Sequence, residues 1–169
     1  MKILIISDSH GYEQELAEIK ERYANEVQLM IHCGDSELPS DHEALQGFSV
    51  VRGNCDFDVK FPNEVEHNVN GCKLFATHGH LFNVKMNVMS IGYRAEEVGA
   101  QIVCFGHSHL AGSEQINGRL FINPGSIRLP RGRKDATYCI LDVYNQGAHV
   151  LFYNKNHEML DDLSTKYSM

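Results

Sequence analysis

Five short polar motifs, each directly behind an apolar run, constrain this chain more than any other feature. They are Asp8-Ser9-His10, Gly34-Asp35, Gly53-Asn54-Cys55-Asp56, His78-Gly79-His80 and Gly106-His107-Ser108-His109. The runs before them are short and apolar, as buried strands are, and each motif sits where such a strand would pass into a loop. One such arrangement carries little weight. Five in one small chain predict a sheet whose strands deliver carboxylates, an amide and imidazoles to one edge, where two metal ions would gather.

The order of elements supports such an edge. Lys2–Ser7 predicts a buried strand, and Tyr12–Ala24 a helix with Leu16, Ile19 and Tyr23 on one face. Strands follow at Gln28–His32 and Phe48–Arg52. Glu64–Val69 and Lys73–Thr77 form a hairpin around Asn70-Gly71, a favoured two-residue turn. Val88–Val98 reads as a helix weakened by Gly92, and Gln101–Phe105 as the next strand. Two hairpins complete the pattern: Gly112–Ile116 with Arg119–Asn123 across Asn117-Gly118, and Thr137–Tyr144 with Ala148–Tyr153 across Asn145-Gln146-Gly147. A first half that alternates strand and helix, then a hairpin-rich second half, predicts two packed sheets with helices outside. In open sheets of this kind ligands gather at the carboxyl ends of the strands. No linker, low-complexity segment or internal repeat divides the 169 residues, so one domain is expected over 1–169.

Composition narrows the setting. No apolar stretch approaches the ~20 residues that a membrane-spanning helix needs, and the Met1–Ile6 run passes directly to Ser7-Asp8 without a signal-peptide cleavage site. A cytoplasmic protein is expected, with no membrane partner. The net charge of −7 argues against a long nucleic acid as the partner. The five cysteines are scattered and form no Cys-x-x-Cys pair, which fits reduced thiols rather than a disulfide framework. Cys33 and Cys104, inside apolar runs, are expected to be core thiols.

The donors themselves have a distinct chemistry. Asp8 and His10, two apart in a loop, can address one ion. Asp35 follows a glycine that permits close backbone approach, and its two oxygens can bridge two metals. Asn54 offers a neutral oxygen; His78, His107 and His109 offer imidazole nitrogen. A mixed oxygen and nitrogen set without thiolate suits manganese, iron, zinc, nickel or similar divalent ions.

The ordered set Asp-x-His, Gly-Asp, Gly-Asn, His and Gly-His-x-His resembles the calcineurin-like metallophosphoesterases. The opening Met-Lys-Ile-Leu-Ile-Ile-Ser-Asp-Ser-His, the Gly-Asn-Cys-Asp and the Asn123-Pro124-Gly125-Ser126 resemble its small YfcE-like phosphodiesterase branch, from Met1 to about Tyr153. The resemblance implies an α+β fold, a four-layer αββα sandwich of two mixed β-sheets flanked by helices. It implies two divalent metal ions, Mn²⁺ foremost, with Fe, Zn, Ni or Mg as alternatives. Asp8, His10, Asp35 and His109 would hold the first, and Asp35, Asn54, His78 and His107 the second. The implied reaction is in-line attack of a bridging hydroxide on the phosphorus of a small phosphodiester or activated ester. Asn54 would also touch the phosphoryl oxygens. A phosphomonoesterase or nucleotidase would use the same metal core. The alternative class is a non-catalytic scaffold, since the retromer subunit of eukaryotes resembles the same branch. A scaffold tolerates the loss of a ligand, and this chain retains all of them.

One position departs from the wider superfamily pattern. Gly-Asn-His-Asp/Glu becomes Gly-Asn-Cys-Asp, so Cys55 stands where a histidine assists the phosphoryl group or the leaving oxygen, and Asp56 lacks the histidine it would orient. A cysteine here also occurs in the YfcE-like branch. A thiol is a poorer acid near neutral pH than an imidazolium. The general acid is then His80 or a metal-bound water, and substrates with good leaving groups are expected. His80 reads as either a support for the ligands or a substrate contact. His32 and His67, inside strands, read as structural; His42, His149 and His157 carry no motif. The cations after Asn123-Pro124-Gly125-Ser126 (Arg128, Arg131, Arg133 and Lys134) read either as a phosphate-greeting loop or as a solvated one. Met86, Met89 and Tyr93 at helical spacing read as a core face or a subunit contact, and a homodimer through the Val84–Tyr93 region is expected as a possibility.

Overall fold

The run Lys2-Ile3-Leu4-Ile5-Ile6 becomes strand β1 (Lys2–Ile6), and everything after Lys2 in it is fully buried. Alternation along a strand sends successive side chains to opposite faces. Ile3 and Ile5 enter one core cluster, while Leu4 and Ile6 enter another. A strand apolar on both faces must be covered on both, and β1 accordingly sits inside a layered structure.

The computed structural model describes residues 1–169. Helix α1 (Glu13–Tyr23) follows β1, then β2 (Leu29–His32), a short 3-10 turn at Glu43–Leu45, and β3 (Phe48–Val50). Next come β4 (Glu64–Val69), β5 (Cys72–Thr77), a 3-10 turn at His80–Phe82, helix α2 (Met89–Glu97), β6 (Ile102–Cys104), β7 (Gly112–Ile116) and β8 (Arg119–Asn123). The chain closes with β9 (Thr137–Tyr144), β10 (Gly147–Asn154) and β11 (Thr165–Ser168). Two mixed sheets form, with strand orders β11-β10-β9-β1-β2-β3 and β4-β5-β6-β8-β7. Ile3, Ile5 and Ile31 of the first sheet meet Leu74, Ala76, Ile102 and Ile122 of the second in the central core. Leu16, Ile19 and Tyr23 lay α1 on the outer face of the first sheet. Ile91 and Ala95 lay α2 on the outer face of the second, against Phe75, Val103 and Phe121. This is the αββα sandwich expected from the resemblance.

The central strands of both sheets run parallel: β1 with β2, β2 with β3, β5 with β6 and β6 with β8. Their carboxyl ends therefore lie on one side, and the motifs behind β1, β2, β5 and β6 emerge there together. No helix is long and apolar enough to cross a membrane.

Several boundaries differ from the sequence reading for visible reasons. Strand β3 stops at Val50, because Arg52 N–H turns away to donate to Pro62 O (2.7 Å). Helix α2 starts at Met89, whose N–H donates to Asn87 Oδ1 (3.0 Å). Strand β11 was not expected: Thr-Lys-Tyr-Ser lacks an apolar pattern, and it is held by pairing with β10 and by Tyr167 Oη donating to Ser113 O (2.8 Å). Met86, Met89 and Tyr93 are 75%, 60% and 61% exposed, which excludes them from the core. Cys33 and Cys104 are fully buried thiols, and Cys139 joins them in the central core.

His32 is a structural histidine. It is fully buried, accepts from Gly34 N–H at Nδ1 (3.2 Å), and so presents Nε2–H to Ser9 Oγ (2.9 Å). His67 pairs through Nε2 with Ser49 Oγ (2.9 Å). Burial pushes His32 down to about 4 from 6.5, with nearby carboxylates opposing. A folded-state value below the unfolded one means the unfolded chain takes up the proton first. Stability from this group is therefore complete above pH 6.5 and lost as pH falls towards 4, by about 3 kcal/mol. Chemical denaturation of chelator-treated protein from pH 7.5 to 4 checks this. His32→Asn, which keeps an acceptor for Gly34 N–H and cannot titrate, flattens the pH dependence by that amount; parallel curves for the two proteins refute it.

Candidate metal centre

The ligand loops depart from ordinary backbone geometry. Asp8, His10, Asp35, His107 and His109 all have φ between +43° and +65°. Aspartate and histidine tolerate this region better than most residues, yet it still costs roughly 1–2 kcal/mol per residue. Five such positions together rival the net stability of a small domain, about 5–15 kcal/mol. Backbone of this kind persists where the surroundings over-determine it, and it clusters at functional sites.

The surroundings do so through buried side chains. Asp56 is the largest contributor: its carboxylate accepts from Asp35 N–H (2.8 Å), Gly53 N–H (2.7 Å), Glu37 N–H (2.8 Å) and Ser36 Oγ (3.1 Å). Its oxygens are thus committed to the two loops that carry Asp35 and Asn54. Asn123 ties down the last motif, donating to Gly106 O (3.1 Å) and Ser108 Oγ (2.9 Å). Ser126 Oγ donates to Asp8 O (2.7 Å). Arg128 donates to His10 O and lies 4.7 Å over the Tyr12 ring. The Asn123-Pro124-Gly125-Ser126 motif and Arg128 therefore brace the ligand loops from behind. Two glycines are required by proximity. A Cβ on Gly53 would lie 2.0 Å from Asp35 Oδ1, and one on Gly106 would lie 1.9 Å from Ser7 Oγ and 2.5 Å from Asp8 Oδ2.

The braced loops bring the donors together. Donor atoms of Asp8, His10 and His109 lie within 4.8 Å of one another, as do those of Asp35, His78 and His107. Asp35 also falls in a group with His10 and Cys55, so it stands between the two sets. Asn54 Oδ1 lies 3.2 Å from His78 Nε2. Each residue expected as a ligand from the sequence is in this cluster.

The hydrogen bonds around the imidazoles fix which nitrogen faces inward. Nδ1 of His78 donates to Cys33 O (2.7 Å), Nδ1 of His109 to Leu129 O (2.7 Å), and Nδ1 of His10 to Glu37 Oε1 (2.6 Å). Each acceptor is a carbonyl or carboxylate, so Nδ1 carries a proton and Nε2 faces inward, as a lone pair whenever the ring is neutral. These lone pairs converge: His10 Nε2 and His109 Nε2 are 3.4 Å apart, and Asp8 Oδ1 is 3.0 Å from the latter. His78 Nε2 lies 3.3 Å from Asp35 Oδ2. Asp8 Oδ2 accepts from Ser7 Oγ (2.5 Å) and His107 N–H (3.1 Å), while the buried Oδ1 receives no hydrogen bond. Acceptors facing acceptors repel unless a cation lies among them. The residues present fit divalent metal, with the outward N–H bonds that metal-ligating histidines generally make.

The same crowding governs protons. Burial would raise the Asp35 carboxyl, but hydrogen bonding and charge from His78, with donors from Cys55, hold it well below the usual range. His78 is raised: burial works against its charge, and Asp35 and Asp8 outweigh it. The Asp8 carboxylate, 3.0 Å away, raises His109 against the effect of burial. Without metal these two imidazoles gather protons among the acceptors; metal and proton compete for the same lone pairs. His107 is pushed down to about 4 by burial and by His78.

The remaining residues singled out from the sequence lie at the rim. His80 begins the turn beyond His78, with ring centroids 5.4 Å from His78 and 6.1 Å from His107. Its Nδ1 is buried without a partner, and burial lowers its pKa. Cys55 is exposed, 3.3 Å from Asn54 Nδ2, and burial of its sulfur with the nearby Asp35 charge pushes the thiol up to about 11. Glu37, which orients His10, was not singled out from the sequence; its place two residues after Asp35 was the available signal.

Comparison with known proteins agrees with this geometry. Residues 1–146 match the family model of the calcineurin-like phosphoesterase superfamily domain. The chain is 50% identical over 169 residues to the probable metallophosphoesterase YsnB of Bacillus subtilis, covering all of both chains. It is 29% identical to the phosphodiesterase YfcE of Escherichia coli, over 84% of this chain and 88% of that one. A crystal structure of a conserved protein of Streptococcus pneumoniae, described as a predicted phosphoesterase, superposes with a TM-score of 0.95 at 35% identity, covering 99% and 97% of the two chains. With these relatives and this donor cluster, the chain belongs to the calcineurin-like phosphoesterase superfamily and is a metal-dependent phosphoester hydrolase.

Proposed function

We propose that the protein hydrolyses small phosphodiesters and activated phosphate esters on a dinuclear centre. The observation that supports this most is the position of Asp35 between two donor sets, within 4.8 Å of His78 and His107 donors and also of a His10 donor. Asp8, His10, Asp35 and His109 would hold one divalent ion and Asp35, Asn54, His78 and His107 the other, with manganese favoured and iron, zinc, nickel or magnesium as alternatives. Such a pair supplies a water of lowered pKa and Lewis-acid stabilisation of the entering and leaving oxygens of an in-line displacement. The intact ligand set supports an enzyme over a scaffold.

The chain's own groups then set what it can hydrolyse. Asn54 is exposed at the mouth, and its Nδ2–H can donate to a phosphoryl oxygen. A neutral His80 offers one N–H to the same group, orienting it rather than delivering a full proton. Cys55, a protonated thiol near neutral pH, is a weak acid at the position where the wider superfamily has histidine. Asp56 is a positioning residue, since its oxygens hold the Asp35 and Gly53 amides. With no strong protein acid beside the leaving oxygen, esters of acidic alcohols and phenols are the favoured substrates.

Purified protein with Mn²⁺ is expected to hydrolyse bis-p-nitrophenyl phosphate. His78→Ala and Asp35→Asn lower kcat/KM by roughly 10²-fold or more, and elemental analysis finds two ions per active chain. A fully active form with a single ion overturns the dinuclear reading; absence of metal-dependent turnover in the wild type favours the scaffold. A leaving-group series tests Cys55. Wild-type rates fall more steeply with phenol pKa than those of Cys55→His, which gains about tenfold on the least acidic phenols. Equal slopes for the two proteins refute this role.

A further inference from the structure

A groove of about 520 Å³ runs along the outer face of the second sheet, between the segment before α2 and the β7–β8 hairpin. That volume is typical of a small-molecule site. Its floor is apolar, built from Val88, Phe105, Ile116 and Phe121. Its inner wall includes Ser108, the residue between His107 and His109, so the groove reaches the last ligand loop. Two cations, Lys85 and Arg131, line it as well, and Glu114 is the one carboxylate in the lining. Arg131 is anchored to the metal centre by its N–H, which donates to His109 O (3.1 Å). The lysine and arginine ion pairs of the chain involve Lys73, Arg94, Arg119 and Arg133, leaving Lys85 and Arg131 free. Both are exposed, on a chain whose net charge is −7.

We propose that this groove is the subsite for the ester substituent of the substrate, and that it takes a nucleoside-like aromatic ring carrying a second phosphoryl group, with the ring over the Phe105–Phe121 floor and the extra charge at Lys85 and Arg131. The assignment rests on the phosphodiesterase reading above and deepens it. The apolar floor rewards burial of a ring that a small alkyl ester lacks. The unpaired cations reward an anion beyond the scissile phosphate, whose charge bound metal ions would neutralise. A long polyanion gains little, because the chain as a whole carries a net charge of −7.

Three p-nitrophenyl esters with one leaving group isolate these effects: methyl p-nitrophenyl phosphate, thymidine 5′-(p-nitrophenyl phosphate), and the same thymidine ester bearing a 3′-phosphate. With Mn²⁺ the wild type is expected to show kcat/KM rising about tenfold from methyl to thymidine and roughly fivefold more with the 3′-phosphate, chiefly through KM. In Lys85→Gln/Arg131→Gln the 3′-phosphate advantage disappears, whereas Lys166→Gln on β11 leaves it in place. Calorimetric binding of thymidine 3′,5′-bisphosphate to metal-free protein gives a readout independent of turnover, with the double variant binding several-fold more weakly than wild type. If methyl p-nitrophenyl phosphate is hydrolysed but the ring and 3′-phosphate change nothing, the groove assignment fails alone. If no ester is hydrolysed, the phosphodiesterase reading fails and the calorimetry still decides the groove: equal binding by wild type and double variant overturns it.

Discussion

The structure is organised around a group of acceptor atoms brought so close that only a cation, proton or metal ion, can hold them together. Asp8 Oδ1 is buried without a donor, and inward-facing nitrogens of His10 and His109 stand 3.4 Å apart beside it. Asp35, Asn54 and His78 crowd together in the same way on the other side. Acceptors brought this close in a buried site raise the energy of the fold unless positive charge enters. The remainder of the molecule can be understood as what it takes to hold them there.

That holding is done by side chains whose hydrogen bonds go to the loops themselves. Asp56 gathers four donors from the loops after β2 and β3, Asn123 and Ser126 reach back from the end of β8, and Arg128 holds His10 by its carbonyl. Four of these bonds hold backbone that is left-handed, at Asp8, His10, Asp35 and Glu37, which a free loop would abandon. Hydrogen-bonded buried polar groups of this kind are costly to disturb, because removing one partner strands the other. The β-sandwich contributes the fixed frame: parallel strands aim all the loops at one side, and the central core of apolar side chains keeps the two sheets in register.

Much of the candidate site was legible in the sequence, because a candidate ligand must be of a suitable chemical type and must follow a strand closely. Asp8, His10, Asp35, Asn54, His78, His107 and His109 met both conditions. The strands and both long helices were legible for a similar reason, since apolar periodicity reports directly on burial. What escaped were features without a periodic or chemical signature of their own. Strand β11 is polar and exists through its partner β10. Glu37 orients His10 only because two loops meet. The basic residues behind Asn123 had two open readings; the fold turned Arg128 into a brace and left Arg131 at the mouth of a groove. Met86, Met89 and Tyr93 fit a buried helical face by spacing, yet α2 turns Ile91 and Ala95 inward instead.

The sequence by itself determined the donor types, their order, and the layered fold that would present them, since all three depend on local chemistry and on the period of the apolar pattern. Only the tertiary structure decided that Asp35 lies between two donor sets and which nitrogen of His10, His78 and His109 faces inward. The same holds for the oxygens of Asp56, which accept from three backbone amides and from Ser36 Oγ, and for the groove that runs from Ser108 towards α2. These depend on distances between segments far apart along the chain, and the packing of two sheets sets such distances in a way that no single stretch of residues encodes.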